Sequence, residues 1–301
     1  MMRERNLRVK LISFPDTEEM LFSLNNAVVY EIYKDFAIDF SVKRSNGIDP
    51  DTADITIWNM EAPDIYSGNN SQAEIYVGYG DSETLLYKGD ITGMRHIKQG
   101  ADRGIYITCG DTITAGLAQV SKGYAENVDY RNMINDIFDS FTKAGGEVVA
   151  GMKDKIYDVI QGKKTVSSVV LDTAKKSLAD ILSKTDKKPL FQNNQLYVVD
   201  RITGAIDDFT VILDSSNGLI GTPERGFAFE EIDDIIIVNK KEVNKKKLVK
   251  TEYLSFTCLI IPDIIVGRRV RIGDLGDFVV QSVAVKGSTK GNDWLMTCEA
   301  K

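Results

Sequence analysis

A single histidine, His96, lies in the run "GMRHIKQ" of this 301-residue chain. One histidine excludes HExxH zinc sites and paired-histidine metal centres. It leaves room only for a Ser–His–Asp or Cys–His arrangement, and no GxSxG elbow is present to present the nucleophile. The three cysteines (Cys109, Cys258, Cys298) are far apart, with no CxxC pair. That pattern points to a reducing folding compartment and away from a disulfide framework or a zinc knuckle. Phosphate-binding loops also fail. "GYGDSE" (78–83) lacks the third glycine of GxGxxG and precedes a strand pattern. "QGKKTV" (161–166) has Tyr157 where a P-loop's first glycine belongs and Lys164 where Ser or Thr should hold magnesium. The acidic pairs Asp207-Asp208, Glu230-Glu231 and Asp233-Asp234 are adjacent residues, which on a strand point to opposite faces. None of them presents two carboxylates together for glycoside hydrolysis. No residue is assigned a catalytic, cofactor-binding or metal-binding role, and the chain is expected not to be an enzyme.

The elements around these residues are mainly strands. Residues 35–43, "DFAIDFSVK", alternate so that Phe36, Ile38, Phe40 and Val42 share a face. The runs "ADITIWN", "AEIYVGY", "LLYKGDITGMRHI" and "RGIYITC" follow at short spacing, with turns such as Gly80-Asp81 between them. The middle changes period. "VDYRNMINDIFDSFTKAGG" reads as a helix with Asp129 as N-cap and Gly145-Gly146 as stop. "KTVSSVVLDTAKKSLADILSKTDKK" predicts a second helix through Val166, Val169, Val170, Ala174, Leu178, Ile181 and Leu182. "EVVAGMKDKIYDVIQG" predicts a third, weakened by Gly151. "PLFQNNQLYVVD" reads as a hairpin turning at Asn193-Asn194, and strand patterns return from about residue 204. The lysine-rich run 239–250 interrupts them and reads as a solvated loop or a strand edge guarded by lysines.

The strand segments repeat. "ITIWNMEAPDIYSG", "EIYVG", "YKGDITG" and "GIYITCG" occur in the same order as "FTCLIIPDIIVG", "RVRIG", "LGDFVVQ" and "DWLMTCE". Pro63 and Pro262 are two of six prolines, and Cys109 and Cys298 two of three cysteines, so the punctuation repeats along with the alternation. The expected fold is therefore α+β, mainly β. Two related small β-barrel or sandwich modules, at 1–118 and 204–301, would flank a helical segment at 119–203 that a short hairpin closes. A net charge of −7 gives no general attraction for DNA or anionic membranes. No apolar run is long enough for a membrane span, and the charged start "MMRERNLRVK" does not read as a secretory signal. A cytosolic product is the expectation.

Four motifs resemble the baseplate hub proteins of tailed bacteriophages. The first, at residues 36–60, includes Pro50 and Asn59; Asp51 stands where the family usually has Asn, and Met60 where it has Leu. The second, at 73–91, ends on Gly89 and Asp90. The third, "DSSNGLIGTPER", carries Gly218, Gly221 and Pro223. The fourth, "CLIIPDIIVGRRVRI", carries Pro262 and Gly267, with Val266 in place of the family's proline. The resemblance implies tail-tube-like modules and a homotrimer joining a sixfold tail tube, or tube-initiator protein, to a threefold central spike. It also implies contacts to wedge or other baseplate proteins, a virion location after synthesis in the cytoplasm of a bacterial host, and a lumen through which DNA passes without specific binding. A peptidoglycan- or carbohydrate-active tail enzyme, a distal-tail protein, and a hub of a non-phage contractile injection system are the alternatives.

Overall fold

The computed structural model describes residues 4–13, 27–46, 50–60, 71–111, 113–162, 168–183, 185–201, 203–238 and 241–301. The fold is mainly β, as the sequence predicts. Its first strands are β1 (Arg5–Ser13), β2 (Val28–Tyr33), β3 (Ala37–Ser45), β4 (Thr52–Trp58), β5 (Ser71–Tyr79), β6 (Thr84–Gln99) and β7 (Asp102–Gly110). Alternation puts Ile38, Phe40 and Val42 of β3 inside, against Ala53, Ile55 and Ile57 of β4 and Ile105, Ile107 and Cys109 of β7. Phe36 lies just before β3 and is exposed.

The last strands are β13 (Thr210–Leu213), β14 (Leu219–Val238), β15 (Lys241–Leu259), β16 (Arg269–Ile272), β17 (Asp277–Ser288) and β18 (Trp294–Ala300). They join the first set in one sheet of order β14-β15-β18-β17-β3-β4-β7-β6-β5-β1-β2, with β16 and β13 branching from β17. The two expected barrel or sandwich modules are joined edge to edge in this sheet, and no barrel closes among the described residues. The seam is β17 against β3, running from Ser282↔Ser45 to Ser288↔Asp39. Gly287 makes it close: a Cβ there would sit 2.2 Å from the Phe40 ring. Trp294 then packs edge-on to Phe40 (6.1 Å) and to Tyr79 (6.4 Å), and its indole N–H donates to the Tyr79 hydroxyl at 3.1 Å. The two halves share this apolar core.

Between them come a short helix α1 (Ile113–Gly116), β8 (Gln119–Tyr124), α2 (Tyr130–Lys143), β9 (Glu147–Val148), α3 (Met152–Ile160), β10 (Ser168–Thr173), α4 (Ala174–Leu182), β11 (Lys187–Gln192) and β12 (Gln195–Asp200). The predicted α2 forms as read. Asp129 accepts from the Arg131 amide at 2.9 Å, Met133, Ile134, Ile137, Phe138 and Phe141 are buried, and Gly145 turns out at φ 89°.

Two helix boundaries differ from the sequence reading. The run from Val169 to Thr173 is strand β10, paired antiparallel with β8. Its β-branched residues favour the pleat, and the Thr173 hydroxyl caps a helix beginning only at Ala174. Gly151 lies at φ 78° immediately before α3 and sets its start, so it does not weaken the helix interior. Of the two readings of the lysine-rich run, the strand holds: from Lys241 it is β15, in register with β14 as far as Val238↔Lys241.

Candidate assembly interface

The residues with potential chemistry are dispersed. His96 is exposed on the outer half of β6. All three cysteines are free and buried; burial pushes the Cys109 thiol up, and a hydrogen bond with Cys258 followed by burial does the same for Cys298. Asp207 and Asp208 face Arg268 and Arg269 at 3.7 and 3.6 Å, as surface ion pairs. No group of three His, Cys, Asp or Glu side chains that could hold a metal occurs among the described residues. Most of the P-loop-like run (163–166) and the Pro63-Asp64-Ile65 copy of the repeat lie outside the described residues.

Most of the family-motif positions sit at turns, bulges or close backbone approaches, and they do not gather into one site. Pro50 is exposed just ahead of β4. Asn59, at φ 57°, ends β4; its amide N–H bonds the Arg103 carbonyl at 2.6 Å and its side chain donates to Asp102 at 3.0 Å. Gly89 lets the Tyr87 hydroxyl approach, since a Cβ would lie 2.4 Å from it, and buried Asp90 accepts from Gln72 at 3.1 Å. Gly218 precedes β14 and accepts from the Leu259 amide at 2.8 Å. Gly221 (φ 70°) and Pro223 lie in a bulge between Ile220 and Glu224. Pro262 follows Ile261, whose carbonyl accepts from Ile264 at 3.0 Å. Gly267, at φ 82°, closes a second turn, where its carbonyl accepts from the Ile206 amide at 2.9 Å and a Cβ would lie 2.7 Å from the Ile206 side chain.

Sequence reading missed a buried polar knot. Arg44 and Asp51 are about 4 % exposed, with Nε and Oδ2 3.5 Å apart. Arg44 also donates to the Leu86 carbonyl and, at 2.6 Å, to Oδ1 of Asn193. That oxygen accepts from the Lys88 amide at 3.0 Å too, while the Asn194 amide donates to buried Asp111 at 2.6 Å. Asn193 and Asn194 both sit in the left-handed region (φ 59° and 58°), as the β11–β12 turn predicted from "NN" requires. The hairpin tip is thereby plugged into the sheet. Burial pushes Asp51 up to about 7 against the pull of Arg44. The visible signal was Arg44 itself, which sits in the core-facing register of Ile38, Phe40 and Val42.

The repeat is also a repeat of pairing. β4 pairs β7, β7 pairs β6 and β6 pairs β5; β15 pairs β18, β18 pairs β17 and β17 pairs β16. The preceding hairpins, β3–β4 and β14–β15, match as well. β6 and β17 each carry a one-residue bulge against the following strand. Two edges end this eight-strand span. Among the described residues nothing pairs with the outer side of β6 over Ile91–Gln99, or with the outer side of β14.

No family model matches the chain, and no curated protein matches it. Solved structures do. The tail protein of Neisseria meningitidis MC58 is 11% identical, with a TM-score of 0.59 over 99% of this chain and 96% of that one. The prophage MuSo2 43 kDa tail protein of Shewanella oneidensis is also 11% identical, with a TM-score of 0.61 over 100% and 97%. A chain of the Francisella PdpA–VgrG complex is 10% identical, with a TM-score of 0.60 over 99% of this chain and 58% of that one. The protein has the fold of phage tail proteins and of a chain in a VgrG complex.

Proposed function

We propose that the chain is a structural hub of a phage tail: three copies form a ring joining a sixfold tail tube to a threefold central spike, with DNA passing through the bore. The observation that carries this reading is the internal duplication. One chain supplies the β3–β7 unit and its copy β14–β18 in the same pairing order, so three chains offer six quasi-equivalent units. Such a ring presents sixfold symmetry on one face and threefold on the other. The likeness to tail proteins supports the role, and the dispersed, buried thiols and lone exposed histidine support a part without catalysis. The fold shared with a chain of a VgrG complex and with the E. coli c3393 protein, a component of the type VI secretion system (TM-score 0.52, 11% identical, 88% of this chain and 73% of that one), favours a second setting. There the same ring would serve a contractile injection system.

Light scattering on a sizing column, with the chain alone and then with a central spike protein from the same source, tests the proposal. A trimer in either sample supports it. A monomer in both sinks it.

A further inference from the structure

The tip of the β11–β12 hairpin is held in the sheet by contacts to both repeated units. The Gln192 side chain donates to the Val266 carbonyl, just ahead of β16, at 3.1 Å. The Asn194 amide donates to Asp111, just after β7, at 2.6 Å. Between them Oδ1 of Asn193 accepts from the Lys88 amide at 3.0 Å and from Nη2 of Arg44 at 2.6 Å. Arg44, Asp111, Gln192 and Asn194 are at most 4 % exposed, so the tip is held out of water.

Arg44 is the point at which the tip can be released, because it faces two acceptors and serves them unequally. Its Nη2 donates to Asn193 and to the Leu86 carbonyl, whereas Nε stands 3.5 Å from Oδ2 of Asp51 without the geometry of a hydrogen bond. Among the described residues no hydrogen-bond donor reaches Oδ2 of Asp51, and Oδ1 accepts from the Ser45 amide at a long 3.3 Å. That arrangement suits a protonated carboxyl, which has no charge to strand. A carboxylate in the same place is a buried charge short of donors, and charge-assisted hydrogen bonds are roughly twice as strong as neutral ones.

We propose that Arg44 is a proton-controlled latch: while Asp51 is protonated, Arg44 holds Asn193 and keeps the hairpin tip seated, and when Asp51 ionises, Arg44 turns to it and the tip loosens. Each group facing Asp51 bears on the switch. Burial opposes ionisation most, Arg44 of β3 favours it, Asp111 opposes it, and the Ser45 amide and Lys175 of α4 favour it. The balance puts the carboxyl at about 7. Lys175 is half-buried, its ammonium 5.1 Å from the Phe191 ring centroid. Tyr87 of β6, whose ring centroid lies 6.0 Å from the Arg44 guanidinium, stays a neutral phenol because burial pushes its hydroxyl far up. The movement needed is small, since Nε already stands beside the carboxyl. Asn193 keeps the Lys88 amide and Asn194 keeps Asp111, so the tip loosens without leaving. The seat is therefore tight in acid and looser in mild alkali, the reverse of an ordinary ion pair. This latch is independent of the ring reading.

Hydrogen exchange read by mass spectrometry tests it, on peptides covering β11–β12 and, for comparison, β1 and β18. Protection is measured at pH 6 and pH 8.5 after correction for the intrinsic rate. In wild type the hairpin's protection should fall about ten- to hundredfold over this interval, the contribution of one hydrogen bond to a charged group. The opening is local, so urea too dilute to unfold the chain should leave the hairpin's exchange unchanged while it speeds exchange through global unfolding. Asp51→Asn should hold the same protection at both pH values. Asn193→Gly should show low hairpin protection at both, because the competition for Arg44 is gone. Should a variant fail to fold, the wild-type urea series decides. No fall in wild type, the same fall in Asp51→Asn, a pH dependence retained in Asn193→Gly, or a fall that urea steepens in step with β1 and β18 overturns the latch and leaves the hub reading untouched.

Discussion

Replacing Asp51 by asparagine should flatten the pH dependence of stability. The carboxyl is buried beside Arg44, and burial, the largest influence, raises it from 3.8 to about 7 although Arg44 opposes the rise and Asp111 adds to it. A carboxyl with a native value above its unfolded one binds a proton more readily in the folded chain. The stability this gives is complete below about pH 4 and is lost as pH climbs through 7. At about 1.4 kcal/mol per unit, the two values differ by roughly 4 kcal/mol, an upper bound because the denatured chain retains some structure. Urea denaturation of wild type and Asp51→Asn from pH 4 to 8 reads the difference directly, since every other group cancels. Wild type should lose stability relative to the variant by a few kcal/mol across that window. Arg44→Met should cost about 3–5 kcal/mol at pH 8 by stranding the buried carboxylate, and less at pH 5. Parallel wild-type and Asp51→Asn curves would refute the reasoning.

Three further outcomes are expected. Gly267→Ala should destabilise by about 2–4 kcal/mol, because φ is 82° and the new Cβ would lie 2.7 Å from Ile206 and 3.1 Å from the Gly204 carbonyl; thermal denaturation measures it. Asn193→Gly should cost about 1–3 kcal/mol although glycine accepts the left-handed turn, because Arg44 and the Lys88 amide lose their acceptor. A thiol-titrating reagent at pH 8 should label almost none of the three cysteines in the native chain and all three in guanidinium, because burial and hydrogen bonding hold the thiols protonated and covered.

Much of the fold was legible because strands such as β3 and β18 keep one face wet. Ile38, Phe40 and Val42, or Trp294, Met296, Cys298 and Ala300, alternate cleanly for that reason. The α2 boundaries were equally plain, since Asp129 and Gly145 act through local backbone chemistry. Local pattern failed where two periods fit the same residues: Val169 and Val170 satisfy a helical stripe, and only pairing with β8 makes them a strand. The lysines of 241–250 left loop and strand edge both open, because a two-stranded ribbon is held by its ladder and gives alternation little to mark. The repeat was readable as an order of motifs. That its halves fuse edge to edge was not, because the β17–β3 seam joins residues some 240 positions apart, and its key residue, Gly287, acts by what it lacks.

The plug of Asn193 into the sheet bears on how such proteins could exchange parts. A helical insert tethered only at its two ends could be traded between lineages like a cassette. Here the insert's hairpin tip supplies an acceptor to an arginine buried in the flanking sheet. A transplanted insert without an asparagine at that turn would take one acceptor from Arg44 and the acceptor of the Lys88 amide, and a sheet lacking that arginine would leave the turn with only the Lys88 contact. Chimeras should therefore succeed only when position 44 and the turn travel together, making that pair a marker of inserts and sheets with a shared history.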